Sequence, residues 1–250
     1  MNLQYVTVTG ADDNTDPRVM SLLSSKYPLV EWGILFSEAR YGTPRYPSKE
    51  KVGEILRTCA LHGMRFSLHL CGEITMRLMT GDSSLADVII DAAAYSKAEF
   101  RVQINFNGSR NPYDVDKLCV WMANKTAQLW NERRVLIKFI FQLNKSNKQL
   151  CEELWKNAVY KPQFLYDASG GRGTVIMMFE PPVPGHLTGY AGGLSGSNVG
   201  SALKTLQTSL DDGDDTWIDA ESGLRTDNVL DMHKVEDYLI VAHNKEKWRV

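Results

Sequence analysis

A chain of 250 residues with 28 lysines and arginines against 30 aspartates and glutamates carries a formal net charge of −2 at neutral pH. No block of like charge breaks that balance, so neither nucleic acid nor a membrane surface is expected as a partner. Hydrophobic residues make up 43% of the chain and charged residues 23%, enough to fill one large core and cover it, with no apolar run near the ~18 residues that would span a bilayer.

Strand-like and helix-like segments alternate along the chain. An apolar, β-rich run at 4–9 leads to a helical pattern over 17–26, with Asp16 as its cap and Pro17 in its first turn. A strand at 30–36 precedes a helix at 48–62, a strand at 65–70 a helix at 84–95, and a strand at 99–106 a helix at 113–129. The pattern continues with strand 134–142, helix 147–158 and strand 163–167, after which Met177-Met178-Phe179-Glu180-Pro181-Pro182 reads as a loop or a very short element. Strand 187–191, helix 197–209, strand 215–219 and helix 231–242 complete the series.

Strict β-α alternation implies a parallel sheet, either closed or open. Strand interiors favour closure: Phe66, Leu68 and Leu70 share one face while Ser67, His69 and Cys71 share the other. Val102, Ile104 and Phe106 likewise oppose Arg101, Gln103 and Asn105, and Ile137, Phe139 and Phe141 oppose Lys138 and Gln142. An open parallel sheet is apolar on both faces, whereas a closed barrel can turn a polar face to its lumen. The expectation is one α/β domain over 1–250, a (β/α)8 TIM barrel, an architecture of about 250 residues. Deep polar residues in such a lumen must be paired, for instance Glu31 with Arg101 or Lys138.

Cys59, Cys71, Cys119 and Cys151 are scattered without a CxxC, as free thiols of a reducing compartment would be. The chain opens directly on a strand with no basic-plus-apolar leader, so the expected location is cytoplasmic. The histidines form no HxH or HExxH motif. Asp211-Asp212-Gly213-Asp214-Asp215 lacks the spacing of a calcium loop and reads as a solvated acidic turn. No metal and no cofactor is expected.

The seventh and eighth strands end in glycine and serine, at Gly192-Gly193-Leu194-Ser195-Gly196-Ser197 and Glu221-Ser222-Gly223. Such breaks let backbone N–H groups converge on an anion. Loops after the last two strands commonly hold a phosphate in this architecture. Gly192, Gly193, Ser222 and Gly223 are therefore candidate phosphate ligands, and the expected partner is a phosphorylated small molecule.

Five motifs occur in one order: Val8-Thr9-Gly10; Thr43-Pro44-Arg45-Tyr46-Pro47-Ser48; Phe164-Leu165-Tyr166-Asp167 followed by Gly170-Gly171-Arg172-Gly173; Ala191-Gly192-Gly193-Leu194 with Asn198-Val199; and Ile218-Asp219 with Ser222-Gly223. In these the chain resembles the phosphoribosylanthranilate isomerase family of tryptophan biosynthesis almost end to end. The resemblance implies Asp167 as the general acid that opens the ribose ring, Arg45 near bound ligand, and Asp219 beside the phosphate loops, within reach of a sugar hydroxyl or amine. Arg172 departs from the family, interrupting a glycine run that usually carries threonine, and is a candidate ligand contact as a cation that suits a ligand with more than one phosphate. Arg45 alternatively pairs with Glu50 on the surface.

The family's general base is a cysteine at the end of the first strand, where this chain has Thr9. A neutral hydroxyl titrates far above physiological pH and cannot replace a thiolate unaided. Thr9 is then a ligand contact, and the base falls to Cys71 or Asp13, with Asp12 beside it. Two functions remain open: an Amadori-type isomerase acting on a phosphorylated aminosugar, and a barrel that senses or sequesters a phosphorylated sugar or nucleotide without chemistry. Oligomeric state is not legible.

Overall fold

The computed structural model describes residues 1–82, 84, 87–157, 161–167 and 179–248. Eight parallel strands close into a barrel: β1 (Asn2–Thr9), β2 (Val30–Phe36), β3 (Arg65–Leu70), β4 (Glu99–Ile104), β5 (Leu136–Leu143), β6 (Gln163–Asp167), β7 (Thr188–Ala191) and β8 (Asp215–Ala220). Closure is made by β1 against β8, with Val6 opposite Ile218 and Thr7 opposite Asp219.

Helices α1 (Pro17–Lys26), α2 (Lys49–His62), α3 (Glu73–Met79), α4 (Asp87–Ala93), α5 (Val115–Arg133), α6 (Lys148–Asn157), α7 (Val199–Ser209) and α8 (Met232–His243) lie between and after the strands. Their ends follow local chemistry. Asp16, Ser48, Asp114 and Asp231 each accept a backbone N–H of the first turn, which satisfies donors that a helix start leaves unpaired. Gly63, with φ 64°, closes α2 in the left-handed region that glycine occupies without penalty. The expected helix over 84–95 is corrected to the shorter α4, and α3, which precedes it, is not among the helices expected from the sequence. Residues 168–178, including Met177 and Met178 of the weak segment after β6 and the Gly170-Gly171-Arg172-Gly173 motif, lie outside the described residues, and residues 179–182 form no regular element, as the loop reading expects.

Alternation along each strand divides the barrel wall as the sequence implies. Val6, Val8, Ile34, Leu68, Val102, Phe139 and Ile218 face outward and are fully buried under the helices. Each such side chain contributes about 1.5–3 kcal/mol of burial. The lumen holds a separate small apolar cluster of Ile140, Leu165 and Trp217. Trp217 fits because its strand neighbour Gly189 has no side chain: a Cβ there would lie 2.1 Å from the indole.

Around that plug the lumen is polar. Arg101 is 1% exposed, with its guanidinium 4.2 Å from the Tyr5 ring centroid and 4.3 Å from that of Trp217. Cation–π contact of this kind partly offsets desolvation. Glu31 lies 3.6 Å from Arg101, close enough for charge attraction but beyond hydrogen bonding, and accepts a 3.0 Å bond from Thr7. The buried pair expected from the sequence is thus Glu31 with Arg101.

Candidate active site

The carboxyl ends of the strands surround a small cavity at the barrel mouth. Thr9 enters it from β1, His69 from β3, Gln103 from β4, Gln142 from β5, Asp167 from β6 and Asp219 from β8, with Gly192, Gly193 and Ser222 at the rim. A wider, more open cleft adjoins it, sharing Leu35, Asn105, Gln142 and Glu221 and adding Arg40, Arg45, Tyr46 and Cys71.

Thr9 and Asp219 stand 210 positions apart in sequence but meet where the barrel closes. Thr7 pairs with Asp219 across β1 and β8, so the carboxylate reaches toward Thr9, whose Oγ1 donates to Asp219 Oδ1 at 2.7 Å. Gly33 on β2 makes the space: a Cβ there would lie 2.3 Å from Thr9 Oγ1 and 2.9 Å from the His69 ring. Burial raises the Asp219 pKa to about 8 against the opposing Thr9 bond, with the carboxylates of Glu221, Glu31 and Asp167 adding to the rise. A side chain titrating there sits close to neutrality, as a free thiol does.

Asp167 is 4% exposed and lies 3.5 Å from Gln142 Nε2. It lines the same cavity as Asp219. His69 is held neutral by burial and by the charge of Arg101, which together lower its pKa to about 3; its Nε2 is 3.0 Å from Ser67 Oγ. Cys71 sits in the adjoining cleft rather than on the imidazole. Its Sγ accepts from Asn105 Nδ2 at 3.2 Å and contacts the His69 carbonyl oxygen at 3.7 Å. Burial pushes that thiol upward in pKa, opposed by bonds from Asn105 and Tyr46, the reverse of the activation a thiolate base needs.

The two adjacent aspartates after β1 part company. Asp12 is buried and bonds Arg225 Nη2 at 2.6 Å. Asp13 is exposed, accepts the Ser48 N–H at 2.7 Å and lines neither cavity. The structure therefore does not bring Asp13 to the other candidates. Arg45 pairs with Glu221 at 2.9 Å, not with Glu50. Its backbone holds φ at 77°, a region disfavoured for a residue with a side chain. Glu221, unassigned from sequence, borders both cavities. Burial raises its pKa while Arg45 and Arg225 counteract.

Gly192 and Gly193 have φ of 132° and 59°, and among the described residues neither N–H has an acceptor. Gly223 packs behind them, where a Cβ would come within 2.2 Å of the Leu194 carbonyl oxygen. The loops after β7 and β8 are thereby pressed together at the rim. Arg172 lies outside the described residues. Among the described residues no three of His, Cys, Asp and Glu assemble into a set that could hold a metal ion, and no helix is long and apolar enough to cross a membrane.

No protein-family model matches the sequence, and no curated protein matches it. Among solved structures, the chain is similar to monomers of the dimeric phosphoribosylanthranilate isomerase from Thermotoga maritima. That similarity has a TM-score of 0.53 and 17% sequence identity, over 98% of this chain and 100% of the other. Likeness at that identity establishes the shared barrel.

Proposed function

We propose that the mouth of this barrel binds a phosphorylated sugar and catalyses an aldose-to-ketose rearrangement of the Amadori type. The observation that carries the reading is the placement of two buried carboxylates, Asp167 on β6 and Asp219 on β8, in one cavity rimmed by Gly192 and Gly193. Such a rearrangement needs a proton given to the ring oxygen and a proton taken from carbon, which is work for two titratable groups in one desolvated space. Unused glycine N–H groups at the rim suit a phosphate. In this reading Asp167 opens the ring, and Arg45 in the adjoining cleft meets the far end of the ligand.

A second reading rests on Thr9. With no thiol at the end of β1, and with Arg45 already bridged to Glu221, the barrel would hold its phosphorylated ligand without turning it over. Loss of phosphoribosylanthranilate fluorescence in the presence of purified protein separates the two. Turnover that disappears in Asp167→Asn supports the isomerase. Saturable binding without turnover supports the binding protein, and neither would leave the shared barrel without the shared ligand.

A further inference from the structure

We propose that Asp219, oriented by Thr9, is the base that removes the C2 proton, taking over the task that the absent thiol leaves vacant; this rests on the isomerase reading above. Three geometric facts lead there. Thr9 Oγ1 occupies Asp219 Oδ1 at 2.7 Å, so the carboxylate stands one hydrogen bond from the end of β1. Among the described residues the other oxygen, Oδ2, has no hydrogen-bond partner, and Asp219 lines the cavity. Gly33 supplies the volume that lets Thr9 and His69 sit side by side beneath it, so the pair is built into the barrel wall rather than left to a mobile loop.

The other candidates fall away on the same grounds. Asp13 is exposed and occupied by Ser48. Cys71 faces the neighbouring cleft and is bonded by Asn105. His69 has its Nε2 against Ser67.

Once the ring is open and the substrate is a C1=N iminium, the step balances without any co-reactant. The C2–H bond breaks, its proton passes to Asp219 Oδ2, and its electron pair forms the C1=C2 bond. The C1=N π pair settles on nitrogen. Proton return to C1 and loss of the O2 proton then give the ketose.

The groups facing Asp219 set when it is ionised. Glu31 from β2, Asp167 from β6 and Glu221 beyond β8 oppose its charge, and Thr9 from β1 favours it. Tyr238 on α8 is buried and feels the same carboxylate, and His69 on β3 is neutral. Thr9 is a positioning residue here. Its hydroxyl proton stabilises the carboxylate form, so removing it moves ionisation to higher pH.

The test is the pH profile of kcat/KM for phosphoribosylanthranilate in the wild type, Asp219→Asn, Thr9→Val and Thr9→Ser, beside thermal stabilisation of each by ribose 5-phosphate. Expected are a wild-type profile rising through about pH 8, a loss of at least about a hundredfold in Asp219→Asn with stabilisation by the ligand retained, an alkaline displacement in Thr9→Val, and a near-normal profile in Thr9→Ser. Turnover of Asp219→Asn within tenfold of wild type overturns the assignment while leaving the isomerase standing. Identical profiles for Thr9→Val and wild type overturn the role given to Thr9. A wild type without turnover overturns the isomerase reading and this one together.

Discussion

Folding places Asp219 where its charge is costly, and that cost is measurable apart from any catalysis. Its native pKa of about 8 exceeds its ordinary value of 3.8 because burial disfavours the charged form. Between those two values the native state holds a proton that the unfolded chain has already lost, so stability falls as pH rises from about 4 to about 8. Asparagine keeps an oxygen for the Thr9 hydroxyl and has no charge to bury. Asp219→Asn is therefore expected to leave stability unchanged near pH 4 and to raise it by a few kcal/mol at pH 8, since each unit of pKa corresponds to about 1.4 kcal/mol. Denaturant melts at the two pH values check this; a variant no more stable than wild type at pH 8 would mean that the native carboxylate is not raised. The same residue also marks a limit of sequence reading. Its place next to the phosphate loops is visible from the strand-end pattern, but its bond to Thr9 joins the first and last strands and exists only because the barrel closes.

At the scale of elements, closure is reinforced above the strands by a buried ion pair. Asp12, in the loop after β1, accepts from Arg225 Nη2 at 2.6 Å and from the Leu230 N–H at 3.1 Å. Arg225 also donates to the Gly10 carbonyl oxygen at 2.5 Å. Arg225 and Leu230 belong to the small hairpin of β9 (Arg225–Thr226) and β10 (Val229–Leu230) that follows β8. The pair thus ties the loop after β1 to the segment that follows Asp219 and its neighbours. Asp12→Ala strands a buried guanidinium and is expected to cost about 3–5 kcal/mol. Asp13→Ala, which loses one exposed bond to the Ser48 N–H, is expected to cost about 1 kcal/mol. Equal losses in urea titrations of the two variants would contradict the assignment of Asp12 as the structural member. Sequence could not separate these neighbours, because nothing local to Asp12-Asp13 indicates that an arginine more than 200 positions away supplies the partner for one of them. The strands are more legible. Their periodicity of two is a local property, and all eight lie within a few residues of their sequence-derived limits. Helix α3 is not legible in the sequence because it is seven residues long and has Gly72, which offers no side-chain cap, at its N-cap position, so neither length nor a capping residue announces it.

At the scale of the whole molecule, the question is how a phosphate would enter a mouth that already holds Asp167, Asp219 and Glu221. Charge alone argues against it, and two features of the barrel argue for it. Arg45 crosses from the loop after β2 to neutralise Glu221, and Asp219 stays protonated below its pKa of about 8. The cavity is therefore less hostile to an anion at neutral pH than above pH 8, where Asp219 ionises. Ligand that binds only the native state raises its stability by about 2.7 kcal/mol at one hundred times Kd, which for a chain of this size corresponds to a rise in Tm of roughly 5–10 °C. Ribose 5-phosphate is expected to produce such a rise and ribose is not. Because the second phosphate ionisation lies near pH 6, the ligand is already mostly dianionic at pH 7 and gains only about a tenth of a charge by pH 9, so a weakening between them belongs chiefly to the protein. The rise in Tm at a fixed ligand concentration should be smaller at pH 9. A rise that is equal for ribose, or that grows with pH, would place the anion away from Asp219 and remove the electrostatic reason for a phosphate at this end of the barrel.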